Sequence, residues 1–511
     1  MKFSPTFLAT LLVLVPFVGG IALLFVPARQ TRFIWIGAIF TGAVEVFLGG
    51  VLYALFDGTS HAIQFAHRVE WIPQLGASWF VGIDGISLFL VLLTAFLVFI
   101  SLIYASCSIS QNVKMFALFF LWLEGAMIGA FVALDILLVY IFWEMMLVPM
   151  YFLIGVWGGD RRIYATYKFV LYTVVGGLLM LAGILYVVYM HEAQFGVLTT
   201  NLLDLYKTQI PVAEGWKNPQ LLAFLAFFLA FAIKIPLFPF HTWLPDAHVE
   251  APTVGSVILA GILLKMGAYG LIRFSIPLFP EAAVELSFWL MALGLVGILY
   301  GAMVSMVQPD LKKLIAYSSI SHMGFVVLGI ASLNETAIQG GLYQMLSHGV
   351  STGALFLAVG CIYTRCHTRI IAKLGGLSGA IPLFATFFLI LVLSSIGLPG
   401  TNGFVGEFLI LLGTFQTHKW FAAAAVLGIV LGAVYMLQMF QRVMYGKLQT
   451  HGEGGDLNWR ERAALGLLVA FVFLMGLYPR PILEKMTASV SHLARHYSDY
   501  QLSLYGEDIA K

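Results

Sequence analysis

Apolar residues fall in runs of about twenty along this chain, divided by short polar or Pro/Gly-rich breaks. A helix needs about 20 residues to cross the ~30 Å hydrocarbon core, whereas a barrel strand would show about ten residues of alternation. The runs therefore predict membrane-spanning helices. Fourteen are expected, at about 7–26, 34–56, 86–105, 114–134, 136–157, 168–190, 220–238, 253–274, 287–308, 311–333, 337–363, 381–414, 420–446 and 461–478. The expected fold class is an all-α polytopic membrane protein. No small-residue cleavage site follows the first run, so Phe7 to Val26 reads as a helix and not as a removed signal peptide. Two connections are long, Asp57 to Gly85 and His191 to Gln220. Residues 481–505 form a polar, amphipathic tail suited to a membrane surface or a neighbouring subunit.

Composition narrows the picture. Of 511 residues 60% are apolar and only 10% are charged, against roughly 25% charged in a soluble protein, which excludes a soluble fold. Lys+Arg 27 against Asp+Glu 25 gives a net charge of +2, so no basic surface is available for nucleic acid. Cys107, Cys361 and Cys366 have no spacing suited to an iron–sulfur cluster or structural zinc, and read as buried apolar residues. With the N-terminus outside, fifteen Lys and Arg fall on the inner side, among them Arg29, Arg32, Lys312 and Arg365. Ten fall on the other, among them Lys2, Arg273 and Lys511. That excess places both termini outside, and it leaves Lys234 and Lys265 inside the membrane.

A charge at the bilayer centre costs ~2.5–3.5 kcal/mol on insertion scales, so each needs a partner, a wet cavity or a neutral state. Glu144, Lys234, Lys265 and Glu407 all sit well inside apolar runs. So do Glu45 and Glu124, which a partner subunit or a neighbouring helix would explain as readily as transport. His322 and His348 sit mid-span. A lone membrane histidine is more often a packing residue, but these two lie on polar stripes at helical spacing, with Ser318 before His322 and with Ser351 and Thr352 after His348. Burial disfavours the charged form of lysine or glutamate, and a nearby opposite charge restores it. A lysine that gains or loses a carboxylate partner can therefore hold or release a proton.

Two of the runs are interrupted. Pro236 and Pro239 follow Lys234 and remove two amide donors, while Gly397-Leu398-Pro399-Gly400-Thr401-Asn402-Gly403 precedes Glu407. Irregular backbone at membrane depth is tolerated only where protein buries it or where it lines a cavity. The breaks lie five helices apart. They predict two inverted five-helix repeats, 114–274 and 287–446, each containing a broken helix, with N-terminal helices in 1–113 and a last helix and tail in 447–511.

Three segments carry a resemblance. Phe142-Trp143-Glu144-Met145-Met146-Leu147-Val148-Pro149, His241-Thr242-Trp243-Leu244-Pro245-Asp246-Ala247-His248 and Leu314-Ile315-Ala316-Tyr317-Ser318-Ser319-Ile320-Ser321-His322-Met323-Gly324 resemble the antiporter-like subunits of respiratory complex I, the proton-translocating NADH:quinone oxidoreductase. The likeness covers nearly the whole chain. Glu407 is similar to the M-type branch, the counterpart of mitochondrial subunit four, because sister subunits and multisubunit cation/proton antiporters generally carry lysine at the matching place.

The resemblance implies a Glu144–Lys234 ion pair, a central Lys265, a link through His322 and His348, and Glu407 as the exit-side group. It also implies that FMN, iron–sulfur clusters and quinone sit in other subunits. This chain, without a Gly-x-Gly-x-x-Gly turn or P-loop, would be a translocase subunit with no redox site of its own. The implied setting is a bacterial plasma (inner) membrane, among other membrane subunits of complex I including sister antiporter-like subunits, with protons as cargo. Two rival readings are a subunit of a cation/proton antiporter, and a scaffold whose charges only hold helices together.

Overall fold

The computed structural model describes residues 5–213, 215–449 and 455–509; Lys2 and Lys511 of the charge count lie outside the described residues. Short helical turns aside, the helices are α1 (Leu8–Leu24), α2 (Thr31–Leu55), α3 (Leu88–Ser108), α4 (Val113–Val132), α5 (Ile136–Trp157) and α6 (Arg162–Phe195). They continue with α7 (Pro219–Lys234), α8 (Trp243–Glu250), α9 (Thr253–Leu278), α10 (Pro280–Met306), α11 (Leu311–Ala331) and α12 (Glu335–Cys366). The last are α13 (Pro382–Ser395), α14 (Asn402–Thr417), α15 (Lys419–Met444), α16 (Trp459–Leu477) and α17 (Arg480–Ile509).

Among the described residues ten helices are long and apolar enough to cross a membrane, or eleven counting the bent pair α16 and α17, against the fourteen expected. The difference lies in α1, α7 and α13, of 17, 16 and 14 residues. At 1.5 Å per residue these fall short of the ~30 Å core. For α7 and α13 the cause is the interruption itself, since they stop at Lys234 and Ser395.

The expectation of an all-α chain is corrected in one place. Within the connection from Asp57 to Gly85, β1 (Gln64–Ile72) pairs antiparallel with β2 (Ala77–Ile83), His67 facing Val81 and Val69 facing Trp79. A reading tuned to runs of twenty passes over a nine-residue strand. The turn closes at Gly76, whose φ of +62° and contact with Leu198 leave no room for a side chain. The buried carboxylate of Asp135 then fastens this hairpin to α5. It caps Leu137 and Leu138, and it accepts from the Ser78 amide at 2.8 Å and the Thr200 hydroxyl at 2.6 Å. Both long connections thus anchor the helix that carries Glu144.

Three cations counted as loop charges are buried. Arg273 pairs with Asp84 and Arg365 with Glu461, each at 2.7 Å, and Lys312 donates to the carbonyls of His248 and Ala251. Each sits within a few residues of a helix end, where sequence does not separate surface from interior. Cys361 and Cys366 are buried, but Cys107 is exposed at the end of α3, contrary to expectation. The first half of α17 packs on its own chain. It bends 65° from α16, and Lys485 donates to the Tyr53 and Phe56 carbonyls at the end of α2. At the centre of the bundle, α9 and α12 are buried along the whole of their most apolar stretches, and the candidate site forms around them.

Candidate functional site

Four of the six expected residues form one connected group. Lys265 on α9 donates to His348 Nδ1 on α12 and to the Ala260 carbonyl in a π-helical turn of its own helix. Such a turn widens the helix locally, a feature common at functional sites. The His348 ring lies 5.6 Å, centre to centre, from that of His322 on α11. His322 Nδ1 is 3.0 Å from Glu407 Oε1 on α14, and its Nε2 is 3.3 Å from Ser395 Oγ. Glu407 also accepts from Gln344 Nε2 at 3.0 Å. All four residues are buried.

Between the two histidines lies a polar cavity, lined by Gln344, Ser347, Ser351, Thr352 and Ser394 among others, with about 10 Å³ for the centre of a water molecule. That is room for about one water. Among the described residues His348 Nε2 has no partner, and a water in this cavity would supply one.

Glu144 and Lys234 are arranged differently. Lys234 Nζ has no hydrogen-bond partner and lies 4.8 Å from the centre of the Trp143 ring, a cation–π contact. Glu144 Oε1 is also unpartnered. The two side chains lie within range of each other's charge, yet the expected ion pair is not closed. No hydrogen bond joins Lys234 to Lys265 either: α7 and α9 meet at Gly267, where a Cβ would sit 2.7 Å from the Phe231 carbonyl. The site therefore has a closed half, from Lys265 to Glu407, and an open half, from Glu144 to Lys234.

The backbone breaks place these groups. After Lys234 the chain leaves helical geometry at Pro236 and Pro239 and resumes at Trp243. The carbonyls this frees are taken up locally, Ala232 by the Leu237 amide at 2.7 Å and Ile233 by the Trp243 indole at 2.9 Å. In the second break, around Pro399, Gly397 and Gly400 adopt φ of +74° and +92°, and a Cβ on Gly397 would sit 3.1 Å from Glu407 Oε2. Asn402 stitches that break to α12 and α13, accepting from Ser394 at 2.6 Å and Ser351 at 3.1 Å and donating to the Ser347 carbonyl.

Gln344 and Ser395 escaped the sequence reading, because neutral polar residues in apolar runs carry little signal; Asn402 was named only as part of the Gly-Leu-Pro-Gly-Thr-Asn-Gly break. Ser318 does not join His322, since its hydroxyl bonds the Ile315 carbonyl of its own helix. His248 is buried, stacked on Phe356 at 4.5 Å, with both ring nitrogens unpartnered. Glu45 and Glu124 stand apart, on α2 and α4. They lie within range of each other's charge, fully buried, with none of their four oxygens hydrogen-bonded.

Residues 133–432 match the family described as NADH:quinone oxidoreductase/Mrp antiporter, TM. The chain belongs to this family. Within it, the chain is 44% identical over 477 residues to NADH-quinone oxidoreductase subunit M of Rhodobacter capsulatus, covering 92% of both chains. It is 42% identical over 488 residues to NADH-ubiquinone oxidoreductase chain 4 of Marchantia polymorpha, covering 95% of this chain and 96% of that one. A chain of respiratory complex I from Thermus thermophilus with bound NADH superposes with a TM-score of 0.84 at 34% identity, covering 95% of this chain and 99% of that chain. The Mrp complex from Dietzia sp. DQ12-45-1b gives a TM-score of 0.85 at 20% identity, over 96% of this chain and 97% of that one, a likeness of fold alone.

Proposed function

We propose that this chain is a proton-translocating membrane subunit of complex I, in which Glu144, Lys234, Lys265, His348, His322 and Glu407 form one relay. The observation that carries the reading is the buried line Lys265, His348, His322, Glu407, supplied by four different helices and bonded at both ends, with a water-sized polar cavity between the two histidines. Carrying so many ionisable groups to mid-depth is costly, and a proton wire is a use that requires them in line.

In this reading the open half is the switch. Quinone reduction elsewhere in the complex closes or opens Glu144 against Lys234, and the change in pairing sets whether Lys234 keeps its proton. Moving one charge against 100 mV takes ~2.3 kcal/mol, the scale of one charge pair formed or lost at the edge of a protein interior. The proton then passes from Lys234 to Lys265, along the histidines and the intervening water, and leaves by Glu407. Units 114–274 and 287–446 act as the two inverted halves of a fourteen-span bundle, between the helices of 1–113 and the 447–511 tail. FMN, iron–sulfur clusters and quinone are assigned to other subunits of the complex, and sister antiporter-like subunits to the flanks of this one.

The direct test is Glu144→Ala or Lys234→Ala in the assembled complex. NADH-driven proton pumping in membrane vesicles is expected to fall several-fold while the complex stays intact on native gels. Pumping at the unmodified level in both variants would overturn the relay. Copurification with flavin- and cluster-bearing chains separates this reading from a free-standing antiporter.

A gentler variant probes the same switch. Gly177 on α6 packs directly on the Glu144 carboxylate, and a Cβ there would overlap Oε1. Because that oxygen ends a flexible side chain, Gly177→Ala is expected to assemble normally, displace Glu144, and lower pumping by a smaller factor than Glu144→Ala.

A further inference from the structure

Outside the relay, a cleft of about 710 Å³ opens where the first residues of α2, α4 and α16 meet the last of α3. Its mouth is basic. Arg32, the second residue of α2, is exposed, and among the described residues it has no hydrogen-bond or ion-pair partner. Across the cleft Arg460 stacks on Trp459 at 5.3 Å and uses one nitrogen on the Ser106 carbonyl. The acid beside it, Glu461, is turned away and held by two bonds from Arg365, at 3.0 and 2.7 Å. The two arginines thus face one opening with no carboxylate among its described lining residues. Three helix N-termini, with their positive dipole ends, converge on the same face.

The depth of the cleft is apolar. Ile36 and Ile39 follow Arg32 at i+4 and i+7 on one face of α2, with Ile103 of α3 opposite. Ile36 is 54% exposed although it sits about one turn below a charged rim. Trp35 and Trp459 mark the level where aromatic side chains settle at a membrane interface. Cations and indoles at the rim above an aliphatic wall complement a molecule with an anionic head and a hydrocarbon tail.

We propose that this cleft binds one anionic phospholipid, its phosphate held between Arg32 and Arg460 and one acyl chain lying along Ile36, Ile39 and Ile103. A soluble phosphate would leave the aliphatic wall bare, and a zwitterionic head would set its own cation beside two arginines. The inference is independent of the proton relay.

The test uses the intact complex in vesicles containing phosphatidylglycerol that carries a photoreactive group on its acyl chain. After irradiation and digestion, label is expected on the segments around Ile36 and Ile103. Unlabelled phosphatidylglycerol should compete, while phosphatidylcholine and inorganic phosphate should not. Arg32→Gln, which breaks no contact, is expected to cut labelling about fivefold, the usual contribution of one cation near an anionic surface, and Arg32→Lys to retain most of it. Absence of label there, equal competition by phosphatidylcholine, competition by phosphate alone, or undiminished labelling of Arg32→Gln would each overturn the site. Should Arg32→Gln fail to assemble, competition in the unmodified complex decides.

Discussion

Lys265→Met is expected to suppress NADH-driven proton translocation by the assembled complex by between about seventyfold and several hundredfold, with the subunit still incorporated. The range corresponds to the ~2.5–3.5 kcal/mol of placing charge at mid-membrane without a partner. Lys265 stands at the end of the closed half, bonded to His348, and in the proposed relay it is the group that receives the proton from Lys234, so its loss cuts the line at its middle. Methionine keeps the length of the stem and fills the same space. The Ala260 carbonyl gives up one donor and His348 Nδ1 its partner, a cost of ~1–3 kcal/mol that is offset by no longer burying the lysine charge. Replacing a buried charge with an apolar group of similar volume is often neutral for folding. The scaffold reading makes the opposite forecast, poor assembly with normal pumping in whatever complex forms. Native gels for incorporation and vesicle acidification for pumping, on the same membranes, separate the two.

The site was legible in the sequence to an uneven degree, and the unevenness has physical causes. Glu144, Lys234, Lys265 and Glu407 stand out because water-free surroundings make any ionisable group conspicuous. The two breaks stand out because proline and glycine act on the backbone locally, wherever the rest of the chain lies. What joins those residues is tertiary. That Lys265 touches His348 while Glu144 does not touch Lys234 depends on how α7, α9 and α12 pack, and no periodicity records it. Gln344 and Ser395 were hidden because a neutral polar side chain costs little enough in a span to be common. Lys312 and Arg365 were misplaced for the converse reason. Near a helix end a long cation can reach water or turn inward, and the inward choice was made by carbonyls and a carboxylate far away in sequence.

Glu407 separates structure from transport more sharply than any other position, because two substitutions there part the roles. Its Oε1 is the shared acceptor for His322 and Gln344. In Glu407→Gln an amide oxygen can still accept from both, so the packing of α11, α12 and α14 survives and only the ionisable group is lost. Assembly is expected to be unchanged and proton translocation to fall on the order of tenfold, the equivalent of ~1.4 kcal/mol. Glu407→Ala removes the acceptor as well, leaving the buried Gln344 amide without a partner at a cost of ~1–3 kcal/mol. That variant should also lower the melting temperature of the purified complex. If the glutamine variant pumps normally while the alanine variant fails to assemble, Glu407 is a structural acceptor and the proton leaves by another route. If both assemble and both lose pumping, with only alanine lowering the melting temperature, the carboxylate acts through its proton. In that case the cavity between His322 and His348 is where a bound water would link the two rings, since no hydrogen bond joins them directly among the described residues.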